Sequence, residues 1–155
     1  NIKKGMFVTM FYGVLDKETG HFTFASAGHN PLIRLKGDGG EPELIKTRGY
    51  PLGMMPSAQF DRRIESGELT LAPDDWLVQY TDGVNEAQNP AGEEFGMGRL
   101  VDMLVFNRDL EPEEFVRDSV GKHTAFVDTA PQFDDITLVT MKWMAGVPIT
   151  TMTDY

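Results

Sequence analysis

The sequence predicts an α+β fold in which strands and helices form separate layers. Strand-like segments fill the first half of the chain, two neighbouring segments then show helical spacing of hydrophobic residues, and one more strand-like segment follows. This order favours segregated sheets and helices over alternating βαβ units. With 155 residues, of which 41% are hydrophobic, the chain can bury the core of one domain.

The first two strands are predicted to form a hairpin. The segment "MFVTMFYGVL", Met6 to Leu15, is apolar on both alternating faces, so we expect both faces to be covered. The turn "DKETG", Asp16 to Gly20, leads into "HFTFASAG", His21 to Gly28. Phe22 and Phe24 alternate there with polar residues, which is typical of a strand.

A second hairpin and two further strands follow. "LIRLK", Leu32 to Lys36, and "ELIK", Glu43 to Lys46, are separated by a glycine-rich loop. The segment from Arg48 to Gln59 contains too many Gly and Pro residues for regular structure. Strand patterning resumes in "FDRRIESGELTL", Phe60 to Leu71, and in "DWLVQY", Asp75 to Tyr80.

Two helices come next, and one strand closes the fold. The first helix is predicted from hydrophobic residues at helical spacing, namely Met97, Leu100, Val101, Leu104 and Val105. The second opens with Pro and acidic residues, Glu111 to Glu114, and is expected to bury Phe115, Ser119 and Val120. The last strand is predicted from Ile136 to Trp143.

Charge and composition argue against several classes of function. The formal net charge of −10 would repel a phosphate backbone, which disfavours nucleic-acid binding. No run of about 18 apolar residues is present, so the sequence predicts no membrane span and no membrane contact by this segment. The chain has no cysteine and its N-terminus lacks a signal-peptide pattern, so a cytoplasmic location is expected.

Acidic residues stand beside two of the predicted strands. Asp82 and Gly83 come just after the strand that ends at Tyr80, and Asp134 and Asp135 stand at the start of the last strand. An Asp-Gly pair commonly forms a turn and an Asp pair commonly caps, so each motif alone is weak evidence for a ligand site. If the two strands are neighbours, the carboxylates meet at one sheet edge, where oxygen ligands suit Mg²⁺ or Mn²⁺.

The order of the motifs strengthens this interpretation. "FVTMFYGVLD", "ASAGHNP", "GYPLG", "YTDGVNEAQNPAGEEFG" and "QFDDITLV" occur in the sequence and spacing of one family. From about Gly5 to Trp143 the chain resembles the bacterial PPM-type serine/threonine phosphatases of the stage II sporulation E and sigma-B-regulator class, relatives of protein phosphatase 2C. The resemblance implies a layered α/β/β/α sandwich of two antiparallel sheets flanked by helices.

The resemblance also implies a metal-dependent protein serine/threonine phosphatase. In relatives the Asp of the "TDG" motif and the first Asp of the "DD(I/M/N)T" motif bind metal, so Asp82 and Asp134 inherit that catalytic role. The implied cofactors are two Mn²⁺ or Mg²⁺ ions in the complete domain, holding a water that attacks phosphorus in line. Asp135 is a further candidate ligand, with a bound water or a strand cap as its alternative roles.

Five other residues are expected to support the site. Gly83 lets the main chain turn tightly beside the metal, and Thr81 and Thr137 are expected to hydrogen-bond behind the ligands. His29 and Asn30 lie in the turn "GHNP", where their side chains tie down the loop. The alternative for His29 is a proton shuttle beside the metal centre. The other two histidines receive no functional role.

Partners follow from the same resemblance. The substrate in this family is typically a phosphoserine or phosphothreonine on a small regulatory protein of the anti-anti-sigma type. The phosphatase usually sits behind a sensor domain in the same chain. The resemblance therefore places the protein in bacterial signal transduction that regulates sigma factors.

One expected motif is missing before Met6. Relatives carry there a strand with an Asp and a nearby Gly, and that carboxylate bridges the two metal ions. We therefore expect residues 1–143 to be the C-terminal portion of the phosphatase domain, with catalysis impaired in this chain alone, and residues 144–155 to be a tail. Apolar faces carrying Phe7 and Phe11 would then be exposed and favour a homodimer. The alternative is a non-catalytic pseudophosphatase that binds a regulatory partner.

Overall fold

Seven strands and four helices make up the part of the chain that the structure describes. The structure, a computed structural model, describes residues 5–144. In chain order the elements are β1 (Met10–Leu15), β2 (His21–Ala27), β3 (Leu32–Leu35), β4 (Glu43–Ile45), α1 (Ser57–Phe60), β5 (Ser66–Thr70), β6 (Trp76–Tyr80), α2 (Asp82–Asn85), α3 (Gly96–Asn107), α4 (Pro112–Val127) and β7 (Leu138–Lys142). Of the predicted tail, residues 145–155 lie outside the described residues.

The strands form two antiparallel sheets, as the sequence predicts. One sheet has the order β1-β2-β5, and the other has the order β4-β3-β6-β7. Both predicted hairpins are confirmed, with Leu15 opposite Phe22 in the first. At its turn, the Asp16 carboxylate accepts hydrogen bonds from the amides of Glu18 and Thr19. These bonds, that of Glu18 first, hold the pKa of Asp16 below its usual range.

A core of apolar side chains joins the two sheets. Its buried members come from both sheets and the segments beside them: Phe22, Phe24, Leu32, Leu71 and Leu77. Phe11 stacks on Phe22 and Phe24 from β1, with ring centroids 6.4 Å and 5.7 Å away. The inward face of β1 is therefore part of this core.

A second core joins the other face of the four-stranded sheet to the pair of long helices. Trp76 of β6 stacks on Phe115 of α4 with ring centroids 4.1 Å apart. The indole nitrogen of Trp76 also donates to the Arg108 carbonyl oxygen at the end of α3, over 2.9 Å. Ile33, Val78, Leu100 and Leu104 complete the buried centre of this cluster. The predicted helix pair is thus confirmed, and it covers β6.

A buried ion pair anchors the start of β6. Asp75 is 1% exposed, and its carboxylate accepts hydrogen bonds from Arg34 Nε and Nη2 at 2.9 Å and 2.6 Å. The amides of Gly37 and Ala72 donate to the same carboxylate. Because every one of these donors points at one group, the buried charge is both paired and hydrogen-bonded.

The expectation that both faces of the first strand are covered is wrong. β1 begins at Met10, and Met10, Tyr12 and Val14 are exposed, as is Phe7 before it. The reason is that, within residues 5–144, no element packs on the outer face of β1. Only Phe11 and Leu15 of this strand face the core.

Other boundaries and faces also differ from the predictions. Val120 is exposed, and the inner face of α4 instead runs Phe115, Ser119, His123 at intervals of four residues. β5 and β7 are shorter than predicted, and each of them spans five residues. The acidic turn after β6 is the single helical turn α2. Within residues 5–144, no helix has the length and hydrophobicity that crossing a bilayer requires.

Removing the Asp75 carboxylate should destabilise the fold far more than removing Glu43. Asp75→Ala leaves the Arg34 guanidinium and two amides without their buried acceptor, and we expect a loss of about 3 kcal/mol. Glu43→Ala removes a partly exposed partner of Arg34 and Lys36 and should cost less than about 1 kcal/mol. Urea unfolding measures both variants, and equal losses would contradict the anchoring role of Asp75.

Candidate active site

The two acidic motifs lie at the same edge of the four-stranded sheet. β6 and β7 are antiparallel neighbours, and Tyr80 at the end of β6 pairs with Leu138 at the start of β7. The chain leaves β6 toward Asp82 and enters β7 from Asp134 at this one edge. The pairing therefore brings together two segments that are about fifty residues apart in sequence.

Hydrogen bonds of Thr81 fix the two segments to one another. The Thr81 amide donates to the Thr137 carbonyl oxygen at 3.1 Å, which extends the ladder by one pair. The Thr81 hydroxyl accepts from the Thr137 amide at 2.9 Å and donates to the Asp135 carbonyl oxygen at 2.8 Å. One side chain thus satisfies a donor and an acceptor of the opposite segment.

Because residue 83 is glycine, the start of α2 lies closer to the main chain of Asp134 and Asp135 than any other residue would allow. A Cβ atom at this position would lie 2.5 Å from the Asp135 carbonyl oxygen and 3.3 Å from the Asp134 carbonyl carbon. Its φ is not positive, so the requirement for glycine comes from the neighbouring main chain. The first turn of α2 therefore rests directly on the backbone of the Asp134–Asp135 pair.

The carboxylates of the site are open to solvent. Asp82, Asp134 and Asp135 are all exposed, and Asp134 Oδ1 accepts a hydrogen bond from the Asp135 amide at 2.7 Å. Exposed carboxylate oxygens on two adjoining turns suit a hard divalent cation that keeps several of its waters. No group of three His, Cys, Asp or Glu residues within residues 5–144 is arranged to hold a metal ion. Asp82 and Asp134 can thus supply only part of a coordination shell.

The predicted loop with His29 and Asn30 is tied to the same end of β6. The Asn30 side-chain amide donates to the Tyr80 carbonyl oxygen at 3.4 Å, and Gln79 donates to the Asn30 carbonyl oxygen at 2.9 Å. The His29 ring instead meets the Thr9 hydroxyl, with 3.0 Å between Nδ1 and Oγ1. These contacts hold the loop in place. Asn30 lies next to the site, and the His29 ring is directed toward the segment before β1.

The "GYPLG" and "AGHNP" motifs pack against one another. Gly28 has a φ of +72°, and a Cβ there would lie 2.5 Å from Pro51 Cδ. A Cβ at Gly49 would overlap the Ser26 carbonyl oxygen. The glycines of both motifs therefore serve a close contact between two loops, beside the end of β6.

His123 is a residue of the site region to which the sequence interpretation gave no role. It is buried on α4, with Nε2 2.9 Å from the Val84 carbonyl oxygen. Its ring also meets Phe95 edge-on at 4.9 Å. Because α2 is a single turn, this bond from another helix helps hold the turn that carries Asp82. The sequence contained one signal for this placement, because His123 follows Phe115 and Ser119 at intervals of four residues and so shares their helix face.

Comparisons with known proteins agree with this geometry. The family model described as "Stage II sporulation protein E (SpoIIE)" matches residues 1–144. Protein IcfG from Synechocystis sp. is 37% identical over 136 residues, which cover 86% of this chain and 20% of IcfG. Phosphoserine phosphatase RsbU from Bacillus subtilis is 28% identical over 147 residues, which cover 92% of this chain and 41% of RsbU. The chain thus spans less than half of the length of either relative.

Solved structures show the same fold. The RsbU and RsbW domains of Rv1364c from Mycobacterium tuberculosis match with a TM-score of 0.72 and 24% identity, over 90% of this chain and 37% of that chain. The phosphatase domain of SpoIIE from Bacillus subtilis, presoaked with Mn, matches with a TM-score of 0.64 and 16% identity, over 90% of this chain and 58% of that chain. The predicted α+β fold with two antiparallel sheets and helices is confirmed.

Gly83→Ala should push the two acidic turns apart, because the added methyl group overlaps the Asp135 carbonyl oxygen. We expect a loss of about 1–3 kcal/mol in stability and weaker Mn²⁺ binding. Gly98→Ala in α3 is the matched control, since a Cβ there meets nothing within 4 Å and should stabilise the helix by about 1 kcal/mol. Urea unfolding and Mn²⁺ calorimetry measure both. Unchanged Mn²⁺ affinity in Gly83→Ala would contradict the close-approach argument.

Proposed function

The chain belongs to the stage II sporulation protein E family, and we propose that it forms part of a metal-dependent protein serine/threonine phosphatase domain. The observation that carries the proposal is the meeting of the Asp82 and Asp134 turns at one sheet edge, with Gly83 packed against the opposite main chain. The name of the relative RsbU, a phosphoserine phosphatase, supports the same activity.

The donor set fits Mn²⁺ or Mg²⁺. Asp82 and Asp134 would hold an ion through exposed carboxylate oxygens, and Asp135 offers a further oxygen donor beside them. When bound, such ions act as Lewis acids toward a phosphoryl oxygen and lower the pKa of water. Thr81 and Thr137 keep the two turns in place, and Gly83 leaves room for the turns to touch. Metal ligands in proteins are commonly oriented in this way by hydrogen bonds from neighbouring groups.

The complete site requires further carboxylates, and we assign them to a segment that precedes this chain. A two-metal centre needs ligands for both ions, whereas Asp82 and Asp134 serve one. The chain covers 58% of the phosphatase domain of SpoIIE, and β1 presents an unpaired edge with exposed apolar side chains. We therefore propose that residues 1–143 form the C-terminal portion of the domain and that this portion alone is impaired in catalysis.

The substrate we propose is a phosphoserine or phosphothreonine on a regulatory protein of the anti-anti-sigma type. The Rv1364c structure joins an RsbU domain to an RsbW domain, which supports a place in partner regulation. A net charge of −10 repels a phosphorylated partner over long range, so bound divalent cations would have to reverse the local field. The same charge disfavours nucleic acid as a partner. We propose that the protein works in the cytoplasm, with a sensor domain in the longer chain.

Phosphate release from a phosphoserine peptide tests this proposal. The longer protein, including the residues that precede Asn1, should release phosphate only with Mn²⁺ or Mg²⁺. Asp82→Asn should weaken Mn²⁺ binding and release at least tenfold, on the order of the effect of losing a ligand contact. Asp102→Asn, on the exposed side of α3, is the matched control and should change neither. Mn²⁺ should also raise the melting temperature of the wild type and of Asp102→Asn more than that of Asp82→Asn.

Metal-independent release, or an Asp82→Asn variant equal to wild type, would contradict the metal site. Absence of release from the longer protein under all conditions would favour the non-catalytic module. That alternative draws on the finding that residues 5–144 hold no cluster of three metal-ligating side chains.

The exposed edge of β1 should make this chain self-associate when it is produced alone. Within residues 5–144 the edge of β1 that faces away from β2 has no partner strand, and such an edge with apolar side chains pairs readily with another copy unless a residue such as Lys blocks it. Val14→Lys should therefore lower the dimer fraction in sedimentation experiments. Val120→Lys is the matched control, because Val14 is 53% exposed on β1 and Val120 is 51% exposed on α4. Equal effects of the two substitutions would show that association does not use the β1 edge.

A further inference from the structure

A pocket of about 380 Å³ opens beside the candidate metal site. It lies between α2, the C-terminal half of α4 and the segment before β7, and both Gly83 and Asp134 line it. We call it the flank pocket. Because it shares residues with the site, a group bound in the flank pocket lies next to whatever is held at Asp82 and Asp134.

The floor of the flank pocket is apolar. Its apolar lining residues come from the end of α4 and from the segment that leads to β7: Val127, Ala130, Pro131, Phe133 and Ile136. Phe133 is 76% exposed, immediately before Asp134. An exposed aromatic ring beside a concave surface is a common mark of a binding site.

Carboxylates are the charged groups among the acidic and basic side chains that line the flank pocket, and Arg99 stands outside the lining, with its guanidinium bonded to the Glu94 carbonyl oxygen. Glu86, Glu94 and Asp134 line it, and neither Lys nor Arg is among its lining residues. His123 also lines it, but its Nε2 atom is engaged with the Val84 carbonyl oxygen. An occupant with an apolar body and a cationic end therefore complements both the floor and the rim. A lysine or arginine side chain has this form, because its aliphatic stem packs on apolar surface while its charge stays near water.

We propose that the flank pocket binds a lysine or arginine side chain of the phosphorylated segment whose phosphate would be held by metal ions at Asp82 and Asp134. The proposal rests on the proposed phosphatase function and names the substrate class of that site, a phosphoserine or phosphothreonine with a basic residue close by. The volume lies within the range for ligand pockets, about 300–1,000 Å³, so the flank pocket has room for a lysine or arginine side chain.

The net charge of the protein explains why a basic residue near the phosphate would favour binding. The protein carries a net charge of −10, so it repels a phosphorylated partner over long range, and bound divalent cations would reverse the field only close to Asp82 and Asp134. A basic residue beside the phosphate reduces that repulsion and is attracted to Glu86 and Glu94. Because both carboxylates are exposed, their attraction to the basic residue is screened by water and salt and supplies selectivity more than affinity.

Binding of peptides that cannot be hydrolysed tests the flank pocket separately from catalysis. Fluorescein-labelled peptides carrying a phosphonate analogue of phosphoserine, with Lys, Gln or Glu placed in turn at each nearby position, are titrated with the longer protein and Mn²⁺. At one position we expect Lys to bind about fivefold more tightly than Glu, the effect of a partly exposed ion pair. The preference should shrink in high salt.

Reversing the charge of residues that line the flank pocket tests whether the pocket causes the preference for Lys. Glu94→Lys, combined with Glu86→Lys, should abolish or invert the preference for Lys. Asp102→Lys changes the net charge in the same direction from the exposed side of α3, outside the lining, and should retain it. Thermal unfolding of each variant confirms that it is folded.

Each outcome decides one of the two proposals. Equal affinities for the Lys and Glu peptides at every position, or a preference that survives Glu86→Lys with Glu94→Lys, would overturn the flank-pocket assignment. Phosphate release without any preference would leave the phosphatase function intact and remove only the pocket. A preference without phosphate release from the matching phosphopeptide would support the pocket and count against catalysis.

Discussion

The contact between Gly83 and the main chain of Asp134 and Asp135 is the constraint on which the candidate site depends. Pairing of β6 with β7 brings the two segments to one edge, but pairing alone leaves their turns free to diverge. The Thr81 hydroxyl, bonded to both Thr137 and Asp135, and the missing Cβ at Gly83 hold them in contact. Two carboxylates from distant parts of the chain thereby face solvent on adjoining turns.

The strand β6, which leads into this contact, is packed on both faces and held at both ends. Trp76 and Val78 of β6 face the helices, and Leu77 faces the other sheet, so β6 lies between both cores. At its start the Arg34–Asp75 pair is buried, and at its end Asn30 and His123 bind main-chain oxygens on either side of Asp82. The carboxylates of the candidate site stand on short exposed turns, and the packed strand positions those turns.

Negative charge links the parts of the surface that bear on function. A net charge of −10 favours divalent cations at exposed carboxylates such as Asp82 and Asp134 and disfavours the approach of a phosphorylated protein, the partner that we propose. The flank pocket adds Glu86 and Glu94 beside that site. Under the proposals made above, the same negative charge would favour a metal ion at the candidate site and a basic side chain in the flank pocket, and it would disfavour phosphate where no metal ion is bound.

The sequence by itself determined the hairpins, the helix pair, the family and the positions of the acidic motifs, because periodicity and turn residues are local properties. Tertiary structure alone decided that β6 and β7 are neighbours, that Gly83 must lack a Cβ, and that His123 supports α2. It also left β1 exposed on its outer face and turned Val120 to solvent. A pattern shows which residues share a face, but whether that face is buried depends on segments far away in the chain.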